Sequence, residues 1–462
     1  MRINPTFLEV ILLLLVSYVV YIWSKYGKKI TRWWKALWKK KRAAAKLKPR
    51  SPESCPRCRR GYHHFSRKPR KDIVPWKNLK EPSGRKKKLD TTGYACMNPD
   101  CNYRGVTDPE VHALVSDGRR GVRKDIPYLR CQACGKRQTS RLDTPMKDLK
   151  TPVGQVAMVM TAMAEGLSIS SAARVFGHHP ATIAGWMERG GLHSARLHEQ
   201  MLFQKLEAGH VQLDELVTKV RNRVKWVYLW TAVEAKSKLI IAISLGKRSI
   251  ENACLLLHQV ALALAPGILP VFASDGLNHY HYGITAHYGH YEKPPRARKF
   301  HWIPDKRLEY VQLRKERRGR KVKFLYSIVR LGERAIIRAR LLAQGLSGKV
   351  QTAFVERNNL TLRHLVAALS RRTWSIAYDI YHLWLHTMWG VFYYNFSRVN
   401  MALEVRARGP SKRRYRTPAM VAGITERPWS VSDFVEFGEA KSPKENPEDS
   451  PHNAPVTEVV VV

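Results

Sequence analysis

The spacing of apolar residues changes after Gly209, from the period of a helix to that of β-strands. Three strand-like runs follow with short polar connections, and they read VQLDELVTKV, KWVYLWTAVEA and KLIIAISLGKR. An apolar helix, IENACLLLHQVALALA, and a fourth strand, PVFASDG, come next. Strands and helices in this order bury their apolar faces against one another. The pattern therefore predicts a mixed α/β sheet in this part of the chain.

Three carboxylates occupy informative places in these elements. Asp214 lies in the middle of the first strand, Asp275 ends the fourth strand, and Glu356 opens the later helix VERNNLTLRH. A buried acid without a partner is costly, and ligands collect at the strand ends of α/β sheets. Three carboxylates at one sheet edge would suit two magnesium or manganese ions and phosphodiester cleavage. Taken singly, each acid is more often a cap, a turn residue or a helix-terminus charge.

The charge of the chain narrows the class of partner. Lys and Arg number 81 against 37 Asp and Glu, a net charge of +44, and the basic residues recur along most of the 462 residues. A surplus of this size indicates a polyanion, with DNA or RNA as the first candidate and an anionic membrane surface as the second. A merely soluble surface explains it less well, because the charge is not confined to one tail.

Six of the seven cysteines come in close pairs within residues 51–150. In a large basic chain such pairs indicate zinc ligands rather than disulfides, and two pairs make one tetrahedral site. The spacing leaves the pairing open, and His112, His63 or His64 could complete a second site. We predict a zinc-ribbon module here, with ligands drawn from Cys55, Cys58, Cys96, Cys101, Cys131 and Cys134. The seventh cysteine, Cys254, is predicted to be a core residue.

Residues 151–208 carry three helical segments separated by turn residues. Ser168 or Ser170 predicts the start of the second helix, Gly177 its end, and Pro180 the start of the third. Two helices joined by a tight turn and preceded by a supporting helix form a helix-turn-helix. The side chains best placed to reach DNA lie at the start of the last helix: His178, Thr182, Trp186 and Arg189. The alternative is a plain helical linker in which Trp186 belongs to the core.

Together these segments resemble bacterial insertion-sequence transposases that have an N-terminal zinc module and a DDE catalytic domain. The resemblance spans roughly Cys55 to Asn400 and is most specific where QLDEL, SDGL and ERNNLTLR occur in that order. The other matching segments are LRCQACGKRQTSRLDTPMKDLKTP, LSISSAARVFGHHPATIAGWM and YYNFSRVN. The apolar N-terminus and the acidic C-terminal tail lie outside the pattern of these enzymes.

The resemblance implies that residues 209–400 are a ribonuclease-H-like DDE domain with Asp214, Asp275 and Glu356 as its catalytic triad. Three strands, a helix and a strand match the start of that fold. Asp275 follows Asp214 by 61 positions and Glu356 follows Asp275 by 81, which implies an extra segment before the glutamate. Arg363, two helical turns after Glu356, is expected to hold a DNA phosphate.

The partners that the resemblance implies are double-stranded DNA, both terminal inverted repeats and target, and further copies of the chain. Because transposition holds two ends together, we expect at least a dimer. The alternative function is that of a domesticated DNA-binding protein, which has kept the fold but does not transpose. Retention of all three acids favours the enzyme, because clustered negative charge brings no benefit to a protein that only binds DNA.

The two ends of the chain carry separate predictions. Residues 1–50 are interpreted as a candidate transmembrane helix, FLEVILLLLVSYVVYIW at 7–23, and a basic juxtamembrane segment that would keep the rest in the cytoplasm. The protein is thus expected in the cytoplasm, associated with the nucleoid, with residues 7–23 as a candidate inner-membrane anchor. A mistaken start codon or a buried helix are the alternatives. Residues 401–462 are predicted to be a largely disordered tail.

Aromatic residues near the acids are predicted to pack rather than to bind metal. The His/Tyr run from His279 to Tyr291 is expected beside the active site, with some side chains touching DNA. Trp226 and Trp230 are four residues apart on the second predicted strand and so share one of its faces. We interpret both as sheet packing and not as a platform for bases.

Overall fold

The structure is a computed structural model that describes residues 91, 94–106, 111–121, 126–221, 226–293, 299–319, 321–406 and 413–438. The candidate anchor at residues 7–23, the pair Cys55 and Cys58, and the chain after residue 438 lie outside these ranges. Within them, no helix has the length and apolar character that crossing a membrane requires.

The described residues between 94 and 139 form a small antiparallel module. Its strands are β1 (Leu114–Arg120), β2 (Ile126–Cys131) and β3 (Arg137–Thr139), paired in that order. The side-chain amide of Gln138 donates to Ala95 O at 2.7 Å and accepts from Met97 N at 3.0 Å, which ties β3 to the preceding loop. The module's core cluster is small: Cys96, Cys101, Tyr103, Ala113, Leu114, Leu129 and Cys131. So small a core needs another source of stability.

Three helices follow the module: α1 (Val153–Ala164), α2 (Ile169–Phe176) and α3 (Pro180–Leu202). The Ser168 side chain accepts from Ser171 N and caps α2, while Gly177 ends α2 with a left-handed φ of 70°. These boundaries are the ones that the serine and the glycine predict, and they are confirmed.

A six-stranded sheet forms the centre of the fold. Its first half is β4 (His210–Thr218), β5 (Val227–Glu234), β6 (Ile240–Gly246), α4 (Ile250–Ala263) and β7 (Val271–Asp275). β10 (Glu309–Arg318) and β11 (Lys321–Leu331) complete the order β11-β10-β7-β4-β5-β6. β7 runs parallel to β4 and β10, whereas β5, β6 and β11 pair antiparallel with their neighbours. The predicted mixed α/β sheet is confirmed.

Further elements separate β7 from the helix that carries Glu356. They are α5 (Asn278–His287), the hairpin of β8 (Gly289–Glu292) and β9 (His301–Pro304), the pair β10 and β11, and α6 (Arg334–Ala343). α7 (Ala353–Leu365) then lies against β4 and β5. α8 (Ile380–Phe392) follows and packs along α3. It begins after Asp379, whose side chain caps it by accepting from His382 N at 2.8 Å.

The end of the described chain corrects the prediction of a largely disordered tail over residues 401–462. β12 (Asn400–Arg406) and β13 (Arg413–Arg416) pair, and α9 (Pro418–Val421) and α10 (Val431–Glu436) follow. Phe434 is fully buried, with its ring 4.7 Å from both Trp389 and Phe392. Two short capped helices and a few apolar side chains suffice to anchor this segment in the main core. Residues after 438 remain a prediction.

The two largest buried clusters pack against the sheet. The larger contains Trp230 and Trp389 together with α1, α3 and α4, and the smaller contains Val355 and Leu362 of α7 with Leu383 of α8. The prediction that Trp226 and Trp230 pack on the sheet is right for Trp230, which is inaccessible, and wrong for Trp226. Trp226 precedes β5 and is 54% exposed.

The helices α3 and α8 approach most closely at Gly191. A Cβ there would lie 2.6 Å from Leu385 O and 2.8 Å from Leu385 Cα. Gly191→Ala should therefore lower the free energy of unfolding by about 1–3 kcal/mol, because α8 must shift. Gly185→Ala is the matched control, since its Cβ meets no atom within 4 Å and alanine favours a helix by about 1 kcal/mol. Urea unfolding of both variants checks this, and equal stabilities would contradict the close approach.

Candidate active site and metal centres

Two strands bring two of the predicted acids together. Leu213 of β4 pairs with Ser274 of β7, so Asp214 and Asp275 lie at the same level of the sheet. One carboxylate oxygen from each, and one from Glu215, lie within 4.8 Å of one another. We call these three residues the acid cluster. It forms where the parallel strand β7 ends, the edge at which ligands bind in α/β sheets.

Asp214 is held by the helix α7. Its Oδ2 accepts a hydrogen bond from Asn359 Nδ2 at 2.9 Å, and Thr231 Oγ1 donates to Asn359 Oδ1 at 2.8 Å. Asn359 thus bridges the acid and the neighbouring strand β5. Burial raises the pKa of Asp214 to about 7, and the negative charge of Glu215 acts in the same direction. The site therefore holds more negative charge than its protein neighbours neutralise.

Glu215 is the member of the cluster that the sequence reasoning missed. Arg248, just after β6, donates from Nε to Glu215 Oε1 at 2.8 Å and forms an ion pair with it, and Tyr280 Oη donates to Oε2 at 2.9 Å. Burial raises the pKa of Glu215, with Asp275 adding to the rise and Arg248 opposing it. The predicted packing of the His/Tyr run beside the acids is confirmed for Tyr280. The second acid of QLDEL was the available signal.

Glu356 lies on the helix that the sequence predicts, but it does not join the other two acids. It lies in the first turn of α7 and is not among the three acids whose oxygens converge. Its Oε1 instead accepts from Lys315 Nζ of β10 at 2.6 Å and from Thr352 Oγ1 at 3.1 Å. Asn359, three positions later on the same helix, is the residue of α7 that touches Asp214. The helix is therefore beside the cluster while its glutamate pairs with a lysine.

A buried network fixes α7 to the two acid-bearing strands. Gln212 of β4 is inaccessible, and its Oε1 accepts from Phe354 N and Val355 N at 3.1 Å, two of the unpaired donors at the helix start. Gln212 Nε2 lies 3.3 Å from His210 Nε2, and His210 Nδ1 lies 2.9 Å from Val271 O of β7. His210 Nδ1 is thus the donor to the carbonyl, and Nε2 accepts from the glutamine. β7, β4 and α7 are linked in one chain of hydrogen bonds.

The donor set of the acid cluster fits a divalent cation. Three carboxylates offer the hard oxygen ligands that magnesium and manganese take. Two of the three have raised pKa values, because burial and mutual repulsion penalise their charged forms. A cation between them would relieve both penalties.

Because the pKa of Asp214 is raised, the stability of the metal-free protein should depend on pH. The folded state keeps a proton between the ordinary value of 3.8 and about 7, so stability is lost as pH rises through this window. Asp214→Asn should therefore raise the free energy of unfolding at pH 8 by about 2–4 kcal/mol. The loss of stability with rising pH should also become smaller in this variant. Denaturant unfolding in EDTA at several pH values measures this. Glu207→Gln, at an exposed site outside the cysteine-containing module, is the control, and a wild-type stability that rises from pH 4 to 7 would contradict the burial argument.

The described cysteine pairs form a second candidate metal site. Cys96 Sγ lies 3.7 Å from Cys134 Sγ, Cys101 Sγ lies 3.8 Å from Cys131 Sγ, and all four sulfurs lie within 4.8 Å of one another. Sulfurs placed 2.3 Å from a central zinc at tetrahedral corners are about 3.8 Å apart. Both measured distances match that spacing, so the four atoms lie close enough to share one zinc ion. The pair from the loop and the pair from the β-ribbon thus converge on one candidate site.

The pKa values of the cysteine thiols also favour metal binding. Hydrogen bonding from Cys96 lowers the pKa of Cys131 to about 5, whereas burial raises the pKa of Cys101 to about 11. The hydrogen bond thus favours the thiolate form of Cys131, and the thiolate is the form that binds metal. His112 is not part of this cluster, since its Nδ1 accepts from Leu114 N at 3.2 Å. Cys254 lies half-buried on α4, away from the cluster.

The residues predicted to read DNA divide into two groups. Thr182 and Arg189 are exposed on α3, although Arg189 also donates to Lys147 O. Trp186 is only 3% exposed and packs edge-on against His178, whose Nε2 lies 2.9 Å from Gln155 Nε2. The prediction that Trp186 reaches DNA is therefore wrong, because that side of α3 faces the core.

Arg363 also has a role within the protein. Its Nη1 donates to Leu369 O and its Nη2 to Val217 O, both at 3.1 Å. The guanidinium thus joins the end of α7 to the end of β4, and two of its donors are used. This differs from the expectation of a guanidinium directed at a DNA phosphate.

Comparison of the chain with sequence models of known protein families finds no match, and comparison with curated proteins finds none either.

Proposed function

We propose that this protein is a DNA transposase of the DDE type, which cuts DNA at the ends of a mobile element and joins those ends to a target. The observation that carries the proposal is the convergence of Asp214 and Asp275, 61 positions apart in sequence, at the edge where β7 ends. Clustered, incompletely neutralised acids are unfavourable beside a polyanion unless a cation joins them. The surplus of 81 basic over 37 acidic residues supports DNA as the substrate.

The finer fold assignment belongs to the same proposal. The order β6-β5-β4-β7-β10, with three antiparallel strands followed by two parallel ones, supports a ribonuclease-H-like domain. The four sulfurs within 4.8 Å of one another support a zinc ribbon, and α2, Gly177 and α3 support a helix-turn-helix. In this proposal Thr182 and Arg189 contact the terminal inverted repeats, and the zinc module assists them.

Each protein group has a distinct task in the proposed reaction. Asp214 and Asp275 would hold two magnesium or manganese ions, with Glu356 turning from Lys315 to complete the set. When bound, the ions supply an activated water or 3′-hydroxyl and stabilise the leaving oxygen. Asn359 orients the Asp214 carboxylate, and Arg248 and Tyr280 hold Glu215. The chain needs no nucleophilic side chain of its own.

A direct assay tests the proposal. The full chain is mixed with labelled duplexes that carry the DNA flanking the gene, with magnesium, manganese or EDTA, and products are resolved on denaturing gels. We expect cleavage that requires the divalent ion and joined products that contain the label. Mass measurement of the protein–DNA species should give at least two chains per pair of ends. Tight duplex binding without cleavage in either metal would overturn the enzyme assignment.

One observation favours the alternative function, duplex binding without cleavage. The ion pair between Glu356 and Lys315 withholds the third predicted acid from the cluster. A domesticated DNA-binding protein could keep this arrangement, because it has no need of a complete metal site. Lys315→Ala separates the two functions. An enzyme whose Glu356 must be released keeps or gains cleavage in this variant, whereas a binding protein still cuts nothing.

A further inference from the structure

Two segments that meet beside the end of β4 carry exposed aromatic rings among basic side chains. The first consists of residues 219–221, which follow β4, together with Trp226 before β5, and the second consists of residues 371–378, which precede α8; none of these residues is acidic. Arg221 N donates to Ala377 O at 3.0 Å, and Ala377 shares a buried cluster with Val220 and Val227. Arg221 and Ala377 are therefore fixed to each other, and the buried cluster of Val220, Val227 and Ala377 fixes them to the sheet.

The aromatic side chains on this surface are exposed to an unusual degree. Trp374 is 95% exposed and Tyr378 is 64% exposed, and within the described ranges Trp374 has no ring or hydrogen-bond partner. Trp226 is 54% exposed, with Lys219 Nζ 4.2 Å from the centre of its ring. Large aromatic rings normally bury most of their area, because leaving them in water forfeits a large hydrophobic contribution. Rings held outward on an anchored backbone indicate an occupant from outside the chain.

The charge around the rings identifies the chemistry of that occupant. Arg371 and Arg372 are exposed three and two residues before Trp374. Burial lowers the pKa of Arg363 on α7, and the positive charge of Arg371 adds to this effect. Phosphates complement the arginines, and base faces complement the rings. Surfaces that bind single-stranded nucleic acid combine basic side chains with exposed aromatic rings in this way.

We propose that Lys219, Trp226, Arg371, Arg372, Trp374 and Tyr378, here called the arginine–tryptophan surface, bind unpaired DNA by stacking its bases. The inference rests on the proposed function for the identity of the nucleic acid. The surface lies past the end of β4, and Thr218 is four residues from Asp214, roughly 13 Å along a strand. That distance corresponds to about four nucleotides of one DNA strand. Strand ends processed at the acid cluster would therefore reach the rings.

The test measures DNA binding by the full chain in EDTA, with fluorescence anisotropy as the readout. The probe is a fluorescein-labelled oligothymidylate about 16 nucleotides long, and a duplex of equal length is measured in parallel. Trp374→Ala should weaken oligothymidylate binding by about 5- to 100-fold, the effect expected for loss of one stacked base. Trp374→Phe should retain most of the affinity. Duplex binding should change by less than the single-strand binding in both variants.

Two controls keep the result interpretable. Leu255→Ala removes an exposed apolar side chain from α4 and should leave both affinities unchanged. Thermal unfolding should be the same for Trp374→Ala and the wild type, because so exposed a ring contributes little to the core. Unchanged oligothymidylate affinity in Trp374→Ala overturns the inference. A change of oligomeric state in Trp374→Ala without loss of DNA affinity also overturns it, because the surface would then bind protein.

The outcome is independent of the cleavage assay. Loss of single-strand affinity in a protein that never cleaves DNA would keep the arginine–tryptophan surface and overturn the transposase proposal. Metal-dependent cleavage with unchanged single-strand affinity in Trp374→Ala would do the reverse.

Discussion

Replacement of Asp275 by alanine should reduce metal-dependent cleavage by about 10²–10⁴-fold, while duplex binding in EDTA remains near the wild-type value. Asp275 ends β7 and supplies one of the three oxygens that converge within 4.8 Å. A metal ion at a reacting phosphate is worth several kcal/mol, and each 1.36 kcal/mol is tenfold in rate. Initial rates on a labelled duplex in magnesium measure the effect. Asp305→Ala, at an aspartate that pairs only with Arg307 among described residues, should cleave normally.

Two conservative variants then identify the third acid. We expect Glu356→Gln to fall to a rate similar to that of Asp275→Ala, because the proposed site needs a carboxylate from α7. Glu215→Gln should lose less cleavage activity. Arg248 and Tyr280 already bond the Glu215 carboxylate, so fewer of its oxygen lone pairs remain for a metal ion. Full activity in Glu356→Gln together with loss in Glu215→Gln would transfer the ligand role to Glu215. Cleavage by Asp275→Ala at the wild-type rate would remove the acid cluster from the mechanism altogether.

Loss of the ion from the cysteine cluster should unfold residues 94–139. The module buries few apolar side chains, and structural zinc contributes on the order of 10 kcal/mol in small domains. Cys101→Ser should lower the zinc content by one ion per chain and remove hydrogen-exchange protection from β1, β2 and β3. Protection in the six-stranded sheet should persist, because that sheet has its own core.

The seventh cysteine provides the control for this experiment. Cys254→Ser changes a thiol on α4 outside the cluster, so zinc content and exchange should match the wild type. Elemental analysis gives the metal content, and peptide-level mass spectrometry gives the exchange. Unchanged protection of β1–β3 in a zinc-free Cys101→Ser protein would show that hydrogen bonds such as those of Gln138 suffice for the module.

The central sheet could be predicted because its signals are local. Strand periodicity, the polar connections and the Ser-Asp-Gly turn are each read from a few neighbouring residues. Pairing of Asp214 with Asp275 followed from their positions on two strands of one sheet. The pairing of the cysteines was not predictable, because loop length alone does not decide which pairs meet.

The errors concern side chains whose environment is set by distant elements. Adjacent residues of a strand point to opposite faces, so Asp214 and Glu215 would not be expected to converge. Trp186 is buried because the side of α3 on which it lies faces the core, which helical periodicity alone does not reveal. Glu356 was placed correctly on α7, but Lys315 lies 41 positions away on β10, and sequence gives no sign of their contact. Phe434 lies in the segment predicted to be a disordered tail, and its burial depends on packing against Trp389 and Phe392, which are distant in sequence.

The hydrogen-bond chain from Val271 through His210 and Gln212 to the start of α7 has a consequence for how this protein can change over time. The relative positions of the acid-bearing elements depend on contacts between β7, β4 and α7, and not on the length of chain between them. The hairpin of β8 and β9 leaves and returns to the fold without entering that network. Residues there can be inserted, removed or exchanged at little thermodynamic cost. Variation in length and sequence can therefore accumulate in this hairpin while the spacing of the acid-bearing elements stays constant.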